Sequence, residues 1–388
     1  MTLYRNNNYG AVLQAYALQS YIKKYWPDCE TINYYREING KARKPRPILI
    51  NSIISILRSM RLNNSYDFIS YIKIQKKINS RNKMFNEFIC EFISESKKTY
   101  VGHRNLKELN TIYDLFIAGS DNIWNKNLLD SAFFLDFVDD NKGKMSYAAG
   151  MSYDSADSNI IDFIKPLLYR LDFISTREPS GRILIERITS RSVFRALDPT
   201  FLLIGDEWRL IEKKVNIDSD NGYILCFFIE PVEFMFREAK ILREETGKKI
   251  VCLPMLHQKI CPAEMDYADI CLFDIGPQEL LSLIRQADFI CTDSFHGTAF
   301  SVIFNKQFAC FRRFRDEKRT SLNLRIDYLL DSLGILDRIV ESEDKIINVY
   351  QNRIDYSQIN VRLEKLRNES IEFLCNGINS LDKAMKND

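Results

Sequence analysis

Five turns of the sequence are predicted to bring polar side chains to the ends of strands, and chemistry is expected there first. In open parallel sheets, ligands bind beyond the carboxyl ends of the strands. Polar residues in such turns can therefore meet in one cleft, which is the usual form of a small-molecule site. The five turns span residues 6–10, 119–122, 150–152, 177–181 and 293–297.

The most informative turn is Asp293-Ser294-Phe295-His296-Gly297, which lies between the apolar run DFICT and the sequence TAFSVIF. A helix over residues 298–304 would place His296 at its N-terminus, where free N–H groups and the helix dipole favour an anion. Histidine exchanges a proton near neutral pH, and Gly297 would leave room for a ligand. We therefore predict a functional role for His296, whereas His103 and His257 lack such a setting.

Three further side chains each have a functional and a structural interpretation. Arg177 directly follows a strand-like run, and it suits either bidentate binding of a phosphate or carboxylate or an ion pair with Glu178. Asp121 suits either a general base or the cap of a following helix. Trp124 suits either stacking on a sugar ring or packing in the core.

Positive charge is concentrated in two segments, although the formal net charge of the chain is only +2. That small net charge argues against nucleic acid as a partner. Arg313 and Arg325 belong to a cationic cluster at residues 312–325, which is either an anion site or a solvated face. Residues 41–83 contain eleven Lys or Arg and one acid. They are predicted to form a helical insertion or, as the alternative, an amphipathic face for anionic lipid.

Several classes of protein are not supported. The sequence has no P-loop, no G-x-G-x-x-G, no H-E-x-x-H and no C-x-x-C pattern, so neither a nucleotide turn nor a metal is implied. The nine cysteines are an odd number and many lie in apolar runs, which favours reduced core residues. The longest nearly apolar run, residues 48–57, is only ten residues long. A cytoplasmic protein without a signal peptide or spanning helix is therefore expected.

Short apolar strands alternate with helical segments along the chain, which is typical of parallel sheets covered on both faces. Predicted strands span 30–35, 113–118, 144–149, 172–176, 192–196, 223–229, 249–253, 270–273, 288–292 and 307–311, and predicted helices span 10–25, 160–170, 231–245, 277–286, 298–304 and 322–333. The fold class is α/β, with two Rossmann-like domains facing a cleft. The domains are residues 1–205, with the insertion at about 41–100, and residues 206–348. Residues 349–388 should form a helical extension that packs back.

Six motifs together resemble the polysaccharide pyruvyl transferase family. They are NNNYGAVLQAYALQ at 6–19, FIAGSDNIWN at 116–125, SYAAGMS at 146–152, STREPSG at 175–181, DPTFLL at 198–203 and ADFICTDSFHGTAFSVIF at 287–304. The resemblance implies a fold similar to GT-B glycosyltransferases. It also implies transfer of pyruvate from phosphoenolpyruvate to two hydroxyls of a glycan as a cyclic ketal, for surface polysaccharide biosynthesis. No cofactor would be needed, and the acceptor would be a glycan or lipid-linked oligosaccharide at the inner face of the membrane.

The resemblance also implies roles for individual residues. His296 would be the general acid, with Asp121 as a second catalytic residue. The donor would contact Arg177, Ser294, Gly297, Arg313 and Arg325, and the acceptor would face Asn8, Tyr9, Asp121 and Trp124.

Three departures from the family pattern accompany this resemblance. Ser294 stands where some members have arginine, and Asn122 stands where the pattern GSDQ-x-W has glutamine. Most of the strand expected before Asn6 is missing from the sequence. Two alternatives therefore stay open, namely a nucleotide-sugar glycosyltransferase of GT-B type and a non-catalytic glycan-binding or scaffold protein.

Overall fold

Two layers of parallel strands form the framework of this computed structural model. The structure describes residues 1–38, 41–42, 68–126, 129–151, 153–254, 266–312, 321–342 and 345–387. The first layer is built from short strands: β1 (Tyr34–Tyr35), β2 (Glu37–Ile38), β3 (Lys41–Ala42), β4 (Tyr100–Val101), β5 (Leu115–Ala118), β6 (Gly143–Ser146), β7 (Ser175–Thr176) and β8 (Phe194–Arg195). The second contains β9 (Tyr223–Phe227), β10 (Lys249–Cys252), β11 (Ile270–Cys271), β12 (Phe289–Thr292), β13 (Phe308–Phe311) and β14 (Ile339–Val340).

In the first unit the strands β5, β6, β7 and β8 run parallel and in order. β5 pairs with β6, and β7 pairs with β8. Single bridges at Met145 and Ala149 join the two pairs into one layer. β1 pairs with β4 in parallel, and β2 pairs with β3 as a small antiparallel ribbon. The carboxyl ends of β5 to β8 therefore share one edge, which is where the predicted polar turns lie.

The second unit is a six-stranded parallel sheet with the order β11-β10-β9-β12-β13-β14. Every residue of the central strand β9 is buried, because helices cover both faces of the sheet. Leu225 and Ile290 face one apolar cluster, whereas Ile224 and Phe289 face another. Burial of each such side chain contributes about 1.5–3 kcal/mol. Strands that are buried on both faces need apolar residues at every position, which explains the continuous apolar runs in the sequence.

Eleven α-helices are found in the described part of the chain. They are α1 (Tyr9–Lys23), α2 (Phe68–Phe92), α3 (Ser158–Tyr169), α4 (Pro179–Thr189), α5 (Gly205–Arg209), α6 (Glu233–Thr246), α7 (Pro277–Gln286), α8 (Phe295–Ile303), α9 (Ser321–Leu333), α10 (Ile346–Gln351) and α11 (Tyr356–Asn387). Local signals explain several ends. Pro277 occupies the first turn of α7, where its missing N–H costs nothing. Gly247 ends α6 with a φ of 64°, which glycine adopts without strain.

The α/β class with two parallel-sheet units is confirmed, and so is the C-terminal helix that packs back. α11 contacts β5 and β6 of the first unit and α9 of the second. The predicted strands are present but shorter at several positions, as in 30–35, where only Tyr34–Tyr35 is a strand. β14 was not predicted. It is two residues long, below the length at which an apolar run is recognised.

The first residues of the chain lie beside β5. The Met1 ammonium donates to the carbonyl of Ile117, and the Gly119 N–H donates to the carbonyl of Met1. The few residues before Asn6 therefore occupy the position beside β5 where a preceding strand was expected.

Part of the predicted basic insertion is helical. α2 is 25 residues long and buries Phe85 and Phe88 in the main core. Arg81 is also buried, and it donates to the backbone carbonyls of Phe273, Pro254 and Leu272. Most of the basic segment, residues 43–67, lies outside the described residues, so its predicted lipid-facing role stays a prediction.

Candidate active site

His296 lies where β12 ends and α8 begins, as the sequence predicted. The Ser294 hydroxyl accepts a hydrogen bond from the Gly297 N–H and so caps the helix. The imidazole is mostly covered, with 12% of its side chain exposed. Its Nε2 atom is buried, has no hydrogen-bond partner and lies 3.6 Å from Oδ2 of Asp198. That separation is an ion-pair distance when the histidine is protonated.

Gly10 forms the other wall around the imidazole. It belongs to the first turn of α1, and a Cβ atom at this position would lie 1.8 Å from Nδ1 of His296. No side chain other than hydrogen fits there while the ring keeps its place. The glycine in the NNNYG motif is therefore explained by its contact with a residue that follows it by nearly 300 positions.

This contact brings two helix N-termini together. α1 begins beside Gly10, with Asn8 as its cap, and α8 begins beside His296. The first N–H groups of a helix lack partners within that helix. Both helix dipoles therefore direct partial positive charge toward the imidazole, which favours an anion at this junction.

Asp198 is the buried centre of the polar network. Its side chain is fully buried. One carboxylate oxygen accepts from the N–H and hydroxyl of Thr200, and the other accepts from Arg177 and the Ser120 hydroxyl. Burial alone would raise the pKa of Asp198, but the charges of His296 and Arg177 and the hydrogen bonds hold it well below its usual range. The carboxylate therefore stays ionised beside His296.

Arg177 is bound on two sides by carboxylates. Its Nε donates to Glu178 and its Nη1 donates to Asp198, each at 2.9 Å. Burial works to lower the pKa of Arg177, but the charges of Glu178, Asp198 and Asp121 outweigh it and raise the pKa above its ordinary value. Its third nitrogen, Nη2, is buried without a hydrogen-bond partner. The geometry of Arg177 is therefore compatible with both predicted roles. Its guanidinium forms ion pairs with Glu178 and Asp198, and Nη2 is left as a hydrogen-bond donor for a ligand.

Phe295 lies between two arginines. The guanidinium carbons of Arg177 and Arg325 lie 4.9 and 5.8 Å from its ring centroid. Beside them is a cavity of about 30 Å³, lined also by Asp198 and Arg195, which is room for about one water molecule. Arg195 borders a second, larger cavity of about 640 Å³ as well. Arg177, Arg195 and Arg325 therefore all border the small cavity beside Phe295.

Arg195 was missed by the sequence analysis. Its Nη2 donates to the Ser332 hydroxyl at 3.0 Å, and within the described ranges no carboxylate lies at ion-pair distance from it. Burial and the nearby charge of Arg182 lower the pKa of Arg195 below its ordinary value. Among the cations around this cavity, it is the one best placed to meet an incoming anion.

Two of the other predicted residues lie close to this network. Asp121 is partly exposed, interacts with the Arg177 charge and has a φ of 69°, a left-handed conformation that aspartate tolerates. Turns and not a helix follow it at residues 122–125, so it is no helix cap. Asn8 caps α1 through a hydrogen bond from the Ala11 N–H. It lies two residues before Gly10, at the same junction.

Four of the predicted residues are buried in structural contacts. Trp124 is fully buried, stacks on Phe134 and donates to the carbonyl of Phe133, so it has no face for a sugar. Tyr9 is buried and donates to the carbonyl of Ile275.

Ser294 is buried as a helix cap, and its predicted contact with the donor stays a prediction. Gly297 is required by packing, because a Cβ there would lie 2.3 Å from the Thr292 hydroxyl oxygen. The glycine that leaves room beside the imidazole is Gly10 instead.

The remaining candidates lie elsewhere. His103 is half exposed and pairs with Asp130 at the surface. His257 and Arg313 lie outside the described residues. Over the ranges that the structure covers, no group of three or more His, Cys, Asp or Glu side chains is arranged for a metal ion. Over the same ranges, no helix has the length and apolarity needed to span a membrane.

Asp198 is the main residue that the sequence analysis did not single out. It stands inside the DPTFLL motif, two residues after the predicted strand 192–196. A polar residue just beyond a strand was the signal that could have identified it, as it did for His296 and Arg177.

An ionised carboxylate, a histidine and converging helix N-termini thus lie together in this α/β protein with two parallel-sheet units. The chain belongs to the polysaccharide pyruvyl transferase family, whose model matches residues 8–313. The family is one of transferases. The match includes His296, Asp198 and Gly10, so the whole network lies within the family region.

Two solved structures with a similar fold are those of 2-epimerases. One is a putative UDP-N-acetylglucosamine 2-epimerase from Listeria monocytogenes, with 12% identity and a TM-score of 0.45, covering 97% of this chain and 88% of that chain. The other is the UDP-GlcNAc 2-epimerase from Neisseria meningitidis, with 11% identity and a TM-score of 0.44, covering 96% of this chain and 98% of that chain. No curated protein matches the chain.

Proposed function

We propose that this protein transfers pyruvate from phosphoenolpyruvate to two hydroxyls of a glycan, forming a cyclic ketal during surface polysaccharide biosynthesis. The observation that carries the proposal is the position of His296. It lies between the ionised Asp198 and the bare face of Gly10, where two helix N-termini meet. An acid beside an anion-favouring junction suits an enol phosphate donor, because such a donor must be protonated while its phosphate is held.

The proton would leave from Nδ1 of His296. Nε2 is buried and faces Asp198, so the carboxylate orients the ring and stabilises its protonated form. Nδ1 is the ring nitrogen that does not face Asp198, and it packs against Gly10, whose missing Cβ leaves room for the ring itself. Hydrogen bonds at such centres are often long before substrate binds and shorten afterwards, which accounts for the 3.6 Å separation.

The reaction then follows from this protonation. The proton of His296 adds to the methylene carbon of phosphoenolpyruvate, the double bond supplies the electron pair, and C2 becomes electrophilic. An acceptor hydroxyl adds to C2 and loses its proton to a base, for which Asp121 is the candidate. The C2–O bond to phosphate breaks, the second hydroxyl forms the second C–O bond, and its proton leaves with phosphate. Nearby cations and N–H groups stabilise the phosphate as it departs.

Arg195 and Arg325 would bind the donor's phosphate and carboxylate. Arg177 is bound by Glu178 and Asp198, so its main role would be to hold Asp198, with only Nη2 left to reach the donor. The small cavity beside Phe295 must widen to admit phosphoenolpyruvate, and the larger cavity on the other side of Arg195 offers that room.

The acceptor would approach from Asn8 and Asp121. Both are partly exposed, and both carry oxygen or nitrogen atoms that can bind sugar hydroxyls. A glycan, free or lipid-linked, is the proposed partner.

The test combines turnover with donor binding. Phosphate release from phosphoenolpyruvate is measured over a panel of nitrophenyl glycosides, for wild type and His296→Asn. General acid catalysis contributes about 10² to 10⁴-fold, so the variant should lose turnover by that factor. Its thermal stabilisation by phosphoenolpyruvate should persist, at about 2.7 kcal/mol for a hundredfold excess over Kd.

Two results would overturn the proposal. Stabilisation by uridine nucleotides but not by phosphoenolpyruvate would favour a nucleotide-sugar glycosyltransferase. Glycan binding that survives His296→Asn, with no turnover by the parent protein on any acceptor, would favour a non-catalytic binding protein.

A further inference from the structure

Four cysteines lie in one row across the sheet of the second unit. Cys252 on β10 is in register with Cys226 on β9 and with Cys271 on β11. Cys226 is in register with Cys291 on β12. In-register residues of a parallel sheet point to the same face, so the four thiols share the face that packs against α6 and α10. The row joins β11, at one edge of the sheet, to its centre.

The outer pair of this row has the geometry that a disulfide needs. The Sγ atoms of Cys252 and Cys271 lie 3.1 Å apart, as thiols. Neighbouring strands lie about 4.8 Å apart, which falls within the Cα separation that disulfides span. Closing the bond therefore needs a small movement of the sulfur atoms and no rearrangement of the sheet.

The two thiols of the outer pair differ in exposure. Cys252 is buried, whereas Cys271 is half-buried on the edge strand β11. The hydrogen bond from Cys252 lowers the pKa of Cys271; burial opposes that shift and the charge of Lys77 adds to it. Cys271 is therefore the thiol that a solvent-borne oxidant reaches, and Cys252 is the partner that can resolve the product.

We infer that Cys252 and Cys271 are a modification site, at which a peroxide converts the two thiols to a reversible disulfide. The Cys271 thiolate attacks one peroxide oxygen, the O–O bond breaks, and hydroxide leaves. The Cys252 sulfur then attacks the sulfenic sulfur of Cys271 and water leaves. Two thiols lose two electrons in total, and the peroxide gains them. A dithiol reductant reverses the change.

The inner pair of the row supplies an internal control. Cys226 and Cys291 are in register in the same way, but both are fully buried. By strand register the inner pair is equivalent to the outer pair. The two pairs differ in solvent exposure, because only the outer pair includes a half-buried thiol, that of Cys271. Oxidation should therefore select Cys252 and Cys271 if the exposed edge of β11 is what admits the peroxide.

The outer pair also borders the segment that holds α1 and α2 against the second unit. The carbonyls of Leu272 and Phe273 accept hydrogen bonds from Arg81, and the carbonyl of Ile275 accepts one from Tyr9. Tyr9 directly precedes Gly10. A Cys252–Cys271 disulfide would link β11 to β10. Cys271 directly precedes residues 272–275, whose carbonyls hold Arg81 and Tyr9 beside the candidate site.

The experiment uses the native, full-length chain. Graded hydrogen peroxide is applied, remaining thiols are blocked with N-ethylmaleimide, and digested peptides are examined by mass spectrometry with and without prior reduction. We expect a linked Cys252–Cys271 peptide at low peroxide, lost after dithiothreitol and absent in Cys271→Ser. Cys226→Ser should leave it unchanged. Each variant is first checked for an unchanged Tm.

Three results would overturn the inference. One is irreversible oxidation of Cys271 while Cys252 stays a thiol. Another is a disulfide between Cys271 and any other cysteine. The third is a linked Cys226–Cys291 peptide at the same or lower peroxide, because access would then not be the determinant.

Discussion

Replacing Gly10 with alanine tests the arrangement of the active site most directly. Alanine favours a helix interior over glycine by about 1 kcal/mol, so helix propensity alone predicts a neutral or slightly more stable protein. The added Cβ, however, would lie 1.8 Å from Nδ1 of His296, whereas ordinary contacts begin at 3.4 Å. The imidazole must therefore move by more than an ångström. Since part of the ring reaches solvent, it can move without unfolding the core.

The expected loss is one of turnover. A misplacement of about 1 Å at a catalytic group can cost 10²-fold, which corresponds to about 2.7 kcal/mol of activation free energy. For Gly10→Ala we expect kcat for phosphate release to fall by about a hundredfold. The KM for phosphoenolpyruvate should change little, because Arg195 and Arg325 are untouched. Circular dichroism and Tm should match those of wild type.

Two controls separate this effect from general damage. Gly377→Ala is a matched change within α11, where the added Cβ would meet the flexible end of Met145 at 2.8 Å and the Phe173 ring at 3.7 Å. It should keep wild-type kcat. The double variant Gly10→Ala with His296→Asn should be no worse than His296→Asn alone, because both changes remove the same interaction. A folded Gly10→Ala protein with wild-type kcat, or an additive double variant, would refute this account of His296.

Further predictions concern the charges around the site. Arg195→Gln should raise the Kd for phosphoenolpyruvate by about ten- to a hundredfold, since a charged hydrogen bond contributes about 1.5–3 kcal/mol, and thermal-shift titration measures it. Arg177→Met leaves Glu178 and Asp198 without their counter-charge, so urea unfolding should show about 3–5 kcal/mol of lost stability. The folded pKa of Asp198 is depressed, so its stabilisation is complete above its unfolded pKa, about 3.9, and is lost as pH falls through the folded value. The stability advantage of wild type over Asp198→Asn should therefore shrink below about pH 4.

Much of the fold was predictable because it is encoded locally. The strands β9 and β12 are continuous apolar runs, and a helix was predicted after β12, although it begins at Phe295 and not at residue 298. His296 was found for the same reason. These features depend on a few neighbouring residues, which a sequence displays directly.

The contents of the site were less predictable because they depend on contacts between distant segments. Gly10 and Gly297 are the same residue type, and only the structure shows which of them borders the imidazole. Trp124 was predicted to bind a sugar because it closely follows a strand. In the structure its ring is buried and its indole N–H donates a hydrogen bond to the carbonyl of Phe133. The role of Asp198 becomes visible only when the ends of β8 and β12 are seen together.

The last helix of the chain has a consequence for the order of folding during synthesis. Arg367 of α11 donates to the carbonyl of Phe201, and the Ser370 hydroxyl accepts from the Leu197 N–H. These two hydrogen bonds fix the backbone just before and just after Asp198. α11 leaves the ribosome after both sheets, so a nascent chain can complete its two layers while the carboxylate beside His296 still lacks this support. The support of Asp198 is thus expected to form as a docking event that follows completion of both sheets.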